Sequence, residues 1–389
     1  MKTRKSDRGS ALILAVVVTV VVAGMTGSYL TLSISKKNAT FQEVEREKAF
    51  YAAEAAIAQA KYELTSGRDY ETTGLGNVTL NTLANTQVTV TFDTTGLTGN
   101  QRRLTAIATY GPANKRTDRS IEEVVDKPMA TPTMFAGGSI TSRDGIDLQG
   151  SIDVDARDYD MAGTAIVGAG VDGIWSGGSV SLTGSAGVGG NGLAPPNNGS
   201  APGAVEANHD WGADGVDNDR DGVVDQPGET FPTDPDQALG FPAGTMKAAA
   251  QNMGTYFSTQ VAYTAALAAN GGQMPGGKII YCEFAPSPPF EVGTSMNAVP
   301  SILIMHNSTA NAVAKNVHGS FKGLFMADKV EHVNAGTDVL GMVFAWGQFG
   351  NSFGNGNSTI RYSSAVLAGL PQFAPNPVYN RKSFREVVR

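Results

Sequence analysis

Acidic residues recur at short intervals over residues 214–229, in the stretch DGVDNDRDGVVDQPGE. Calcium takes six to eight hard oxygen ligands, and carboxylates on alternate residues before a turning glycine can supply several of them. The spacing matches positions 1, 3, 5, 7 and 9 of an EF-hand-like loop, where position 7 uses a backbone carbonyl. The predicted ligands are Asp217, Asp219, Asp221, the carbonyl of Val223, and Asp225.

The loop departs from an EF-hand at position 12, where Gly228 stands in place of a bidentate glutamate and Glu229 comes one residue late. This departure lowers the expected affinity and argues against a helix–loop–helix. We therefore predict a structural calcium site that holds an exposed loop. The alternative is a solvated acidic loop that binds no metal.

Residue types that could carry catalysis show no familiar arrangement. None of the four histidines has HxxxH or HxxE spacing, and the chain has no GxSxG, P-loop or Rossmann motif. Cys282 follows Tyr281 in an apolar segment, which favours a buried thiol over a nucleophile. The aspartates over 144–160 could serve a β-helix polysaccharide lyase or hydrolase, but turn-forming aspartates explain them as well. We expect a protein that is not an enzyme.

The composition suits an exported protein with many tight turns. The 389 residues carry a formal net charge of −7, so no general basic patch favours binding to nucleic acid. Charged residues make up 17% of the chain, less than the usual quarter. The single cysteine cannot form an internal disulfide. The length allows two or three domains.

An uncharged segment, 10–34, follows a short leader that contains Lys2, Arg4, Lys5 and Arg8. As a helix it would span about 38 Å at 1.5 Å per residue, enough to cross a bilayer core of about 30 Å. The basic residues place the preceding end in the cytoplasm. The alternative is a secretory signal peptide cut near Ala23.

The helical pattern continues beyond this segment. Residues 38–64 contain no Gly or Pro, and their apolar residues fall roughly on one stripe between charged faces. The stripe consists of Phe41, Val44, Phe50, Ile57 and Leu64. We predict one continuous helix from Ser10 to about Leu64, apolar all round in its first half and amphipathic in its second.

The order of these pieces resembles the class III signal of type IV pilin-like proteins. More narrowly, RGSALILAVVV and AFYAAEAAIAQA resemble the N-terminal region of PilX-type minor pilins and of K-type minor pseudopilins of type II secretion. The resemblance covers residues 8–64. It implies cleavage by a prepilin peptidase after Gly9, which makes Ser10 the new amino terminus. It also implies a helix that lies in the lipid bilayer first and contacts other pilin subunits later.

Leu14 occupies the fifth position of the implied mature chain. Major pilins carry a glutamate there, which pairs with a buried amine of a neighbouring subunit, and a leucine cannot form that pair. PilX-type and K-type subunits also tend to lack the glutamate. The resemblance therefore implies a minor subunit. The alternative is a membrane anchor that never enters a fibre.

Three segments with alternating apolar residues follow the helix, at 87–92, 104–110 and 118–125. Turns that contain glycine separate them, which predicts a small antiparallel meander. Such a sheet needs an apolar cover, and the amphipathic half of the helix can supply it. We predict an α/β head, like that of a pilin, over 35–127.

Short apolar segments, each ended by glycine, recur roughly every 20 residues over 133–375. They predict a right-handed β-helix or a β-roll, with apolar residues inside and Asn, Thr and Gly outside. An ordinary β-sandwich is the alternative. We predict an insertion over about 191–272, which holds the acidic loop and a helical stretch, and a C-terminal tail over 376–389.

The predicted chain is thus an α+β protein with a leader over 1–9 and a transmembrane half-helix over 10–34. It is predicted to be a minor pilin or pilin-like surface subunit of the inner or cytoplasmic membrane and then of a pilus or the cell surface, with a role in pilus assembly, tip display or adhesion. Its expected partners are a prepilin peptidase, other pilins and lipid, with no nucleic acid. The alternatives are a membrane-anchored β-solenoid adhesin outside any pilus and, less favoured, a polysaccharide-active enzyme.

Overall fold

The chain forms two units in a computed structural model. The first unit comprises Met1–Pro128 and Asn376–Arg389, and the second comprises Met129–Pro375. The structure describes residues 8–65, 76–78, 86–98, 100–112, 116–127, 129–132, 134, 137–217, 223–225, 230–285, 299–314, 317, 319–331, 336–347, 349–353, 357–375 and 380–387.

A single helix, α1 (Arg8–Thr65), runs through both segments that the sequence predicted to be helical. The predicted continuous helix is therefore confirmed. In its last third, small and apolar side chains on one face are buried, and they are Ala49, Ala52, Ala53, Ala56, Ile57, Ala60 and Leu64. Alanines dominate this face, so the helix axis can approach the sheet beneath it closely.

An antiparallel sheet in the order β1-β2-β3-β4-β24 packs against this face of α1. Its strands are β1 (Gly76–Val78), β2 (Thr86–Asp93), β3 (Gln101–Tyr110), β4 (Thr117–Asp126) and β24 (Asn380–Val387). Alternate side chains of β2, β3 and β4 form a core with the helix, and these are Val88, Val90, Leu104, Ala106, Ala108, Ile121 and Val125. The predicted meander and its helical cover are confirmed.

The prediction of a tail over 376–389 is wrong, because this stretch contains β24. Its ladder with β4 runs antiparallel from the pair Asn380↔Asp126 to the pair Val387↔Ser120. Every side chain of β24 is exposed except Val387, which is half-buried. The sequence of β24 therefore lacks the alternation of apolar and polar residues from which a strand is predicted. In sequence, the whole second unit is inserted between two neighbouring strands of the first.

The described residues of the second unit form two sheets with parallel pairing and one short antiparallel hairpin, β8–β9. Its strands are β5 (Gly138–Ser142), β6 (Ile146–Gly150), β7 (Ile152–Asp155), β8 (Asp158–Tyr159), β9 (Ile166–Gly168), β10 (Asp172–Ser176), β11 (Val180–Gly184), β12 (Gly187–Gly189), β13 (Gly199–Ser200), β14 (Val205–Ala207), β15 (Tyr256–Phe257), β16 (Ile279–Cys282), β17 (Ser301–Met305), β18 (Val313–Ala314), β19 (Ser320–Ala327), β20 (Lys329–Val330), β21 (Asp338–Ala345), β22 (Phe349–Phe353) and β23 (Ser358–Arg361).

Successive segments of the second unit stack on one another in parallel. Strands β5, β6 and β7 pair on one side with β10, β11 and β12. On the other side they pair with β21, β22 and β23, the last strands of the unit. The first and last segments are thus neighbours in the middle of the stack, and the remaining strands extend away from them in both directions.

Strands β16 and β17 of the larger sheet are buried on both faces, and so are most residues of β19 and β21, so the prediction of a polar outer face is wrong for these strands. On one face, Cys282 and Leu303 belong to the main core of the unit. On the opposite face, Ile304 and Phe344 pack with residues of the segment between β14 and β15. That segment carries α2 (Pro235–Leu239) and α3 (Thr245–Asn252). Its apolar residues are the reason that a second apolar face is tolerated.

The boundaries of the predicted insertion, 191–272, are also corrected. Strands β13, β14 and β15 lie inside that range and pair with the larger sheet. The predicted helical stretch is divided into α3 and α4 (Gln260–Ala269), with β15 between them. The division has a local cause, since Gly254 adopts a φ of 70° and the hydroxyl of Thr259 caps α4 by accepting from the Ala262 N–H. A last helix, α5 (Ser364–Ala368), follows β23.

Candidate functional site

The apolar part of α1 is exposed along its whole length from Ala11 to Ile34. Its most apolar window has a mean hydropathy of 2.3, and none of that window is buried within the structure. Leu14 is 66% exposed. An exposed surface of Leu, Val and Ile on this scale is long and apolar enough to fit a lipid bilayer or a bundle of apolar helices. Among the described helices, α1 alone is long and apolar enough to cross a membrane.

Gly9 and Ser10, the predicted processing residues, lie in the first turn of α1. The side chain of Ser10 lies outside the described part of the structure, and the cleavage between Gly9 and Ser10 stays a prediction. Leu14 is one turn further along the helix. Its aliphatic side chain is exposed.

A buried carboxylate joins three elements of the first unit. Glu123 on β4 is fully buried, and its two oxygens lie 2.9 Å from Lys61 Nζ on α1 and 2.9 Å from Arg381 Nε on β24. Because a buried charge is tolerated only when it is paired, these two cations make the position of Glu123 possible. Sequence reasoning missed this group, since Arg381 lies in the stretch that was predicted to be a tail.

The acidic loop is described only in part. Asp219 and Asp221 lie outside the described residues, whereas Asp217, Val223 and Asp225 lie within them. Asp225 Oδ1 accepts a hydrogen bond from the Gly215 N–H at 2.8 Å, which closes the base of the loop. Among the residues that the structure describes, no group of three or more His, Cys, Asp or Glu is placed to hold a metal ion. Calcium binding remains a prediction.

The imidazole of His209 lies at the start of this loop, where sequence reasoning found nothing. The ring stacks on Trp175 with centroids 4.4 Å apart and meets the edge of Trp211 at 4.3 Å. Its Nε2 lies 2.9 Å from Asp214 Oδ2, and its Nδ1 lies 2.9 Å from Glu206 Oε1. A run of aromatic rings in contact continues from here across the outer face of the larger sheet, with centroids 4.8 to 5.4 Å apart. It passes through Trp211, Phe231, Phe344, Trp346 and His306; Phe231 and Phe344 are stacked, and the other pairs meet edge-on or tilted.

Most aspartates over 144–160 form hydrogen bonds with neighbouring residues. Asp155 accepts from Arg157 at 2.8 Å and from the Tyr159 hydroxyl at 2.8 Å. Burial raises the pKa of Asp155, but these hydrogen bonds outweigh it and leave the pKa lowered. Asp158 accepts from the Ser364 N–H, and Asp160 from the Thr164 N–H. These contacts fit the interpretation as turn and capping residues.

Cys282 is fully buried in the main core of the second unit, as the sequence predicted. Burial raises the pKa of its thiol, because a thiolate would lose its hydration there. Such a thiol is a poor nucleophile at neutral pH.

No protein-family model matches the chain, and no curated protein matches its sequence. Among solved structures, the chain is similar to the competence-associated pilin ComZ from Thermus thermophilus, with 12% sequence identity. The match covers 88% of this chain and 98% of that chain, with a TM-score of 0.25. A likeness at this level carries no argument about function, which has to come from the residues of this chain.

Proposed function

We propose that this chain is a minor pilin or a pilin-like surface subunit. The observation that carries the proposal is the continuity of α1: one helix is apolar and exposed in its first half and packed on an antiparallel sheet at its end. A cleaved signal peptide has no need of such a rigid connection to a folded head. A subunit that leaves the bilayer and enters a fibre needs the apolar half and the sheet-packed half of α1 to form one continuous helix.

The exposed half of α1 fits two apolar environments in turn. In the membrane it would span the hydrocarbon core, with the basic residues of the leader on the cytoplasmic side. In a fibre, the same surface would pack against the helices of other pilins. We propose that a prepilin peptidase cuts after Gly9 and that the PilX-like resemblance of residues 8–64 reflects this pathway.

Leu14 supports a minor role. A homopolymer of this chain would have no carboxylate at the fifth mature position to pair with the new amino terminus of a neighbour. The chain is therefore proposed to enter fibres that a glutamate-bearing major pilin builds. It would occupy few positions in them.

We propose that the second unit is a β-helix that the pilin-like part displays for adhesion or at a fibre tip, and that its role is not enzymatic. Support comes from in-register parallel pairing, such as Ile302↔Leu324 and Leu324↔Met342, which coiled chains require and antiparallel sandwiches lack. The membrane-anchored adhesin outside any pilus remains the second candidate. That candidate also predicts that the second unit lies on the cell surface, but it predicts no incorporation of the chain into fibres.

Calcium at the acidic loop is a separate proposal, supported by the spacing of the carboxylates and by the closed base of the loop at Gly215 and Asp225. Calcium at a hundredfold excess over its Kd should stabilise the folded chain by about 2.7 kcal/mol. The double substitution Asp219→Ala with Asp221→Ala should abolish that response, and magnesium should substitute poorly. Calorimetry that detects no binding at millimolar calcium would refute the site.

The mass of the mature chain, extracted from membranes, tests the proposed function. Cleavage between Gly9 and Ser10 is expected, and Gly9→Leu should leave the leader attached. Gly24→Leu is the matched control, because Gly24 lies in the exposed apolar part of α1 beside the alternative cleavage point. It should leave processing unchanged. A mature chain that begins near Met25 would replace the pilin proposal with an ordinary signal peptide.

A further inference from the structure

A small cleft of about 310 Å³ lies beside His209, close to the end of β14. It is lined by Trp175, Glu206, His209, Asp210, Ala213 and Asp214. Among these described lining residues, three are carboxylates and none is a lysine or an arginine. Arg143 lines a neighbouring cleft instead, and it is paired with Asp144 at 3.2 Å. The smaller cleft therefore attracts cations and repels anions.

The buried side of the cleft fixes the tautomer of His209. The ring Nε2 forms a hydrogen bond with Asp214 Oδ2 at 2.9 Å, and the Asp214 side chain is 3% exposed. Because an ionised carboxylate only accepts, the neutral ring carries its proton on Nε2 and keeps a lone pair on Nδ1. The ring is held in this orientation by stacking on Trp175 and by the hydrogen bond from the His209 N–H to the Ser176 carbonyl at 2.8 Å.

The second nitrogen of the ring is a buried acceptor. The His209 side chain is 3% exposed, and Nδ1 has no hydrogen-bond partner among the described residues. Glu206 Oε1 lies 2.9 Å from Nδ1. Both atoms are acceptors, so they repel each other unless a donor comes between them. Glu206 is 48% exposed, so its carboxylate can move outward and admit that donor.

An ammonium group on an alkyl chain fits these surroundings. Its nitrogen can donate to Nδ1 and to a carboxylate at once, and its charge is of the sign that the cleft attracts. Water also donates twice, but it brings no charge to offset three carboxylates. Trp175 and Ala213 give the cleft an apolar wall for the alkyl chain. The volume of the cleft is at the lower end of the range for ligand pockets.

We propose that this cleft binds an alkylammonium group through His209 Nδ1 and the Glu206 carboxylate. Glu206 turns outward to admit the ammonium nitrogen, which then donates to both acceptors. Asp210 is exposed at the mouth of the cleft, where its carboxylate accepts from the Gly212 N–H at 3.2 Å. The ammonium group belongs either to a lysine side chain of another protein or to a free alkyl amine. The inference goes beyond the proposed pilin role and holds whether or not the chain enters fibres.

Titration of the full chain in detergent micelles with n-butylammonium chloride tests the site at pH 8, where an ordinary histidine is neutral. The ¹⁵N resonance of His209 Nδ1 should shift on binding, because its lone pair accepts a hydrogen bond, whereas that of Nε2 should shift little. n-Butanol is the matched neutral probe, and it should bind at least about tenfold more weakly because it brings no charge. Nα-acetyl-lysine amide distinguishes the two sources. Binding as tight as that of butylammonium would assign the site to a protein lysine, and weaker binding would assign it to a free amine.

Two carboxylate variants separate the site from the net charge of the unit. Glu206→Gln should weaken butylammonium binding about tenfold, as expected for the loss of one charge-assisted contact. Asp147→Asn is the matched control, because it removes one negative charge from β6, outside the cleft, where Asp147 accepts from the Gln149 side chain at 2.9 Å. It should leave the affinity unchanged. Neither side chain is fully buried, so both variants should fold.

Four results would overturn the inference. The first is an Nδ1 resonance that does not move at millimolar amine, and the second is equal binding of butanol and butylammonium. The third is displacement of the amine by calcium, which would assign the carboxylates to a metal. The fourth is a His209 ring with two protonated nitrogens at pH 8 in the absence of amine, because such a ring has no lone pair to offer.

Discussion

The two units bury their sheets in different ways. In the first unit, β3 alternates buried and half-buried residues, because α1 covers one face only. In the second unit, all five residues of β17 are buried, because the core lies on one face and the segment between β14 and β15 lies on the other. The two units differ in how many faces of a strand are packed against other elements. That number, rather than the strand itself, decides how many of its side chains are apolar. A strand buried on both faces also tolerates fewer changes.

The largest expected effect is at a close approach inside the doubly buried sheet. Gly341 has a φ of 141°, and a Cβ there would lie 1.9 Å from the Gly323 carbonyl oxygen of the next strand. Gly341→Ala should destabilise the second unit by more than about 4 kcal/mol. All three tryptophans lie in this unit, so urea unfolding followed by tryptophan fluorescence measures the loss.

Gly272→Ala is the control for that change. Gly272 also has a positive φ, 83°, but a Cβ there meets nothing within 4 Å. The cost should be only the 1–2 kcal/mol or so of a left-handed backbone. Equal effects at the two glycines would show that the strands are not in close contact.

A pair of isoleucines tests the difference in burial directly. Ile304 is fully buried on the outer face of β17, whereas Ile107 is half-buried on the outer face of β3. Ile304→Ala should cost about 2–5 kcal/mol, as for large-to-small changes in a core. Ile107→Ala should cost less than about 1 kcal/mol. Hydrogen exchange of the affected strands measures both changes, and similar losses would contradict the account of the covering segment.

A smaller effect is expected at the carboxylate that joins β24 to the first unit. Glu123→Gln removes the negative charge that faces Lys61 and Arg381, and it should cost about 1–3 kcal/mol, since both cations are partly exposed. Exchange of the β24 amides should speed up, and the tryptophan transition of the second unit should not move.

The neighbouring Glu122 serves as the control. Its partner Arg385 is 68% exposed at a distance of 2.8 Å, and its second partner, Arg103, lies 3.5 Å away. Because both ion pairs involve partly exposed cations, Glu122→Gln should cost less than about 1 kcal/mol. A β24 that exchanges equally fast in both variants would mean that its backbone ladder alone holds it.

The smallest expected effect is a loss of stability of the second unit at alkaline pH. Burial raises the pKa of Cys282 in the folded chain, so above about pH 8.5 only the unfolded chain ionises there. Stability from this group is complete below that pH and decreases above it, by about 1 kcal/mol at pH 9. Cys282→Ala should lose this component when unfolding free energies at pH 7 and pH 9 are compared. An unchanged difference would place the thiol in contact with water.

The sequence predicts best where each element carries its own signal. Residues 38–64 lack Gly and Pro and show an apolar stripe, and strands β2 to β4 alternate, so the helix and the meander could be predicted. Strand β24 could not, because its partner β4 lies far away in sequence and its side chains are exposed. The outer face of the larger sheet was missed for a related reason. The residues that pack on this face come from the segment between β14 and β15, whose sequence is typical of a polar loop with short helices.

The candidate sites show the same division. Local spacing at Asp217, Asp219 and Asp221 suggested calcium and the leader suggested processing, and both rest on neighbouring residues. The contacts of His209 with Trp175 and of Glu123 with Arg381 join residues far apart in sequence. No local sequence pattern indicates contacts between residues so far apart in the chain, and they are seen only in the folded structure.

Quantitative mass spectrometry of purified surface fibres tests the central claim most directly. The account predicts that fibres contain this chain with Ser10 at its amino terminus, in few copies beside a major pilin that has glutamate at its fifth position. A chain that stays in the membrane fraction with its leader intact and never appears in fibres would contradict the account and favour the anchored adhesin. Fibres composed of this chain alone would contradict the minor role assigned through Leu14.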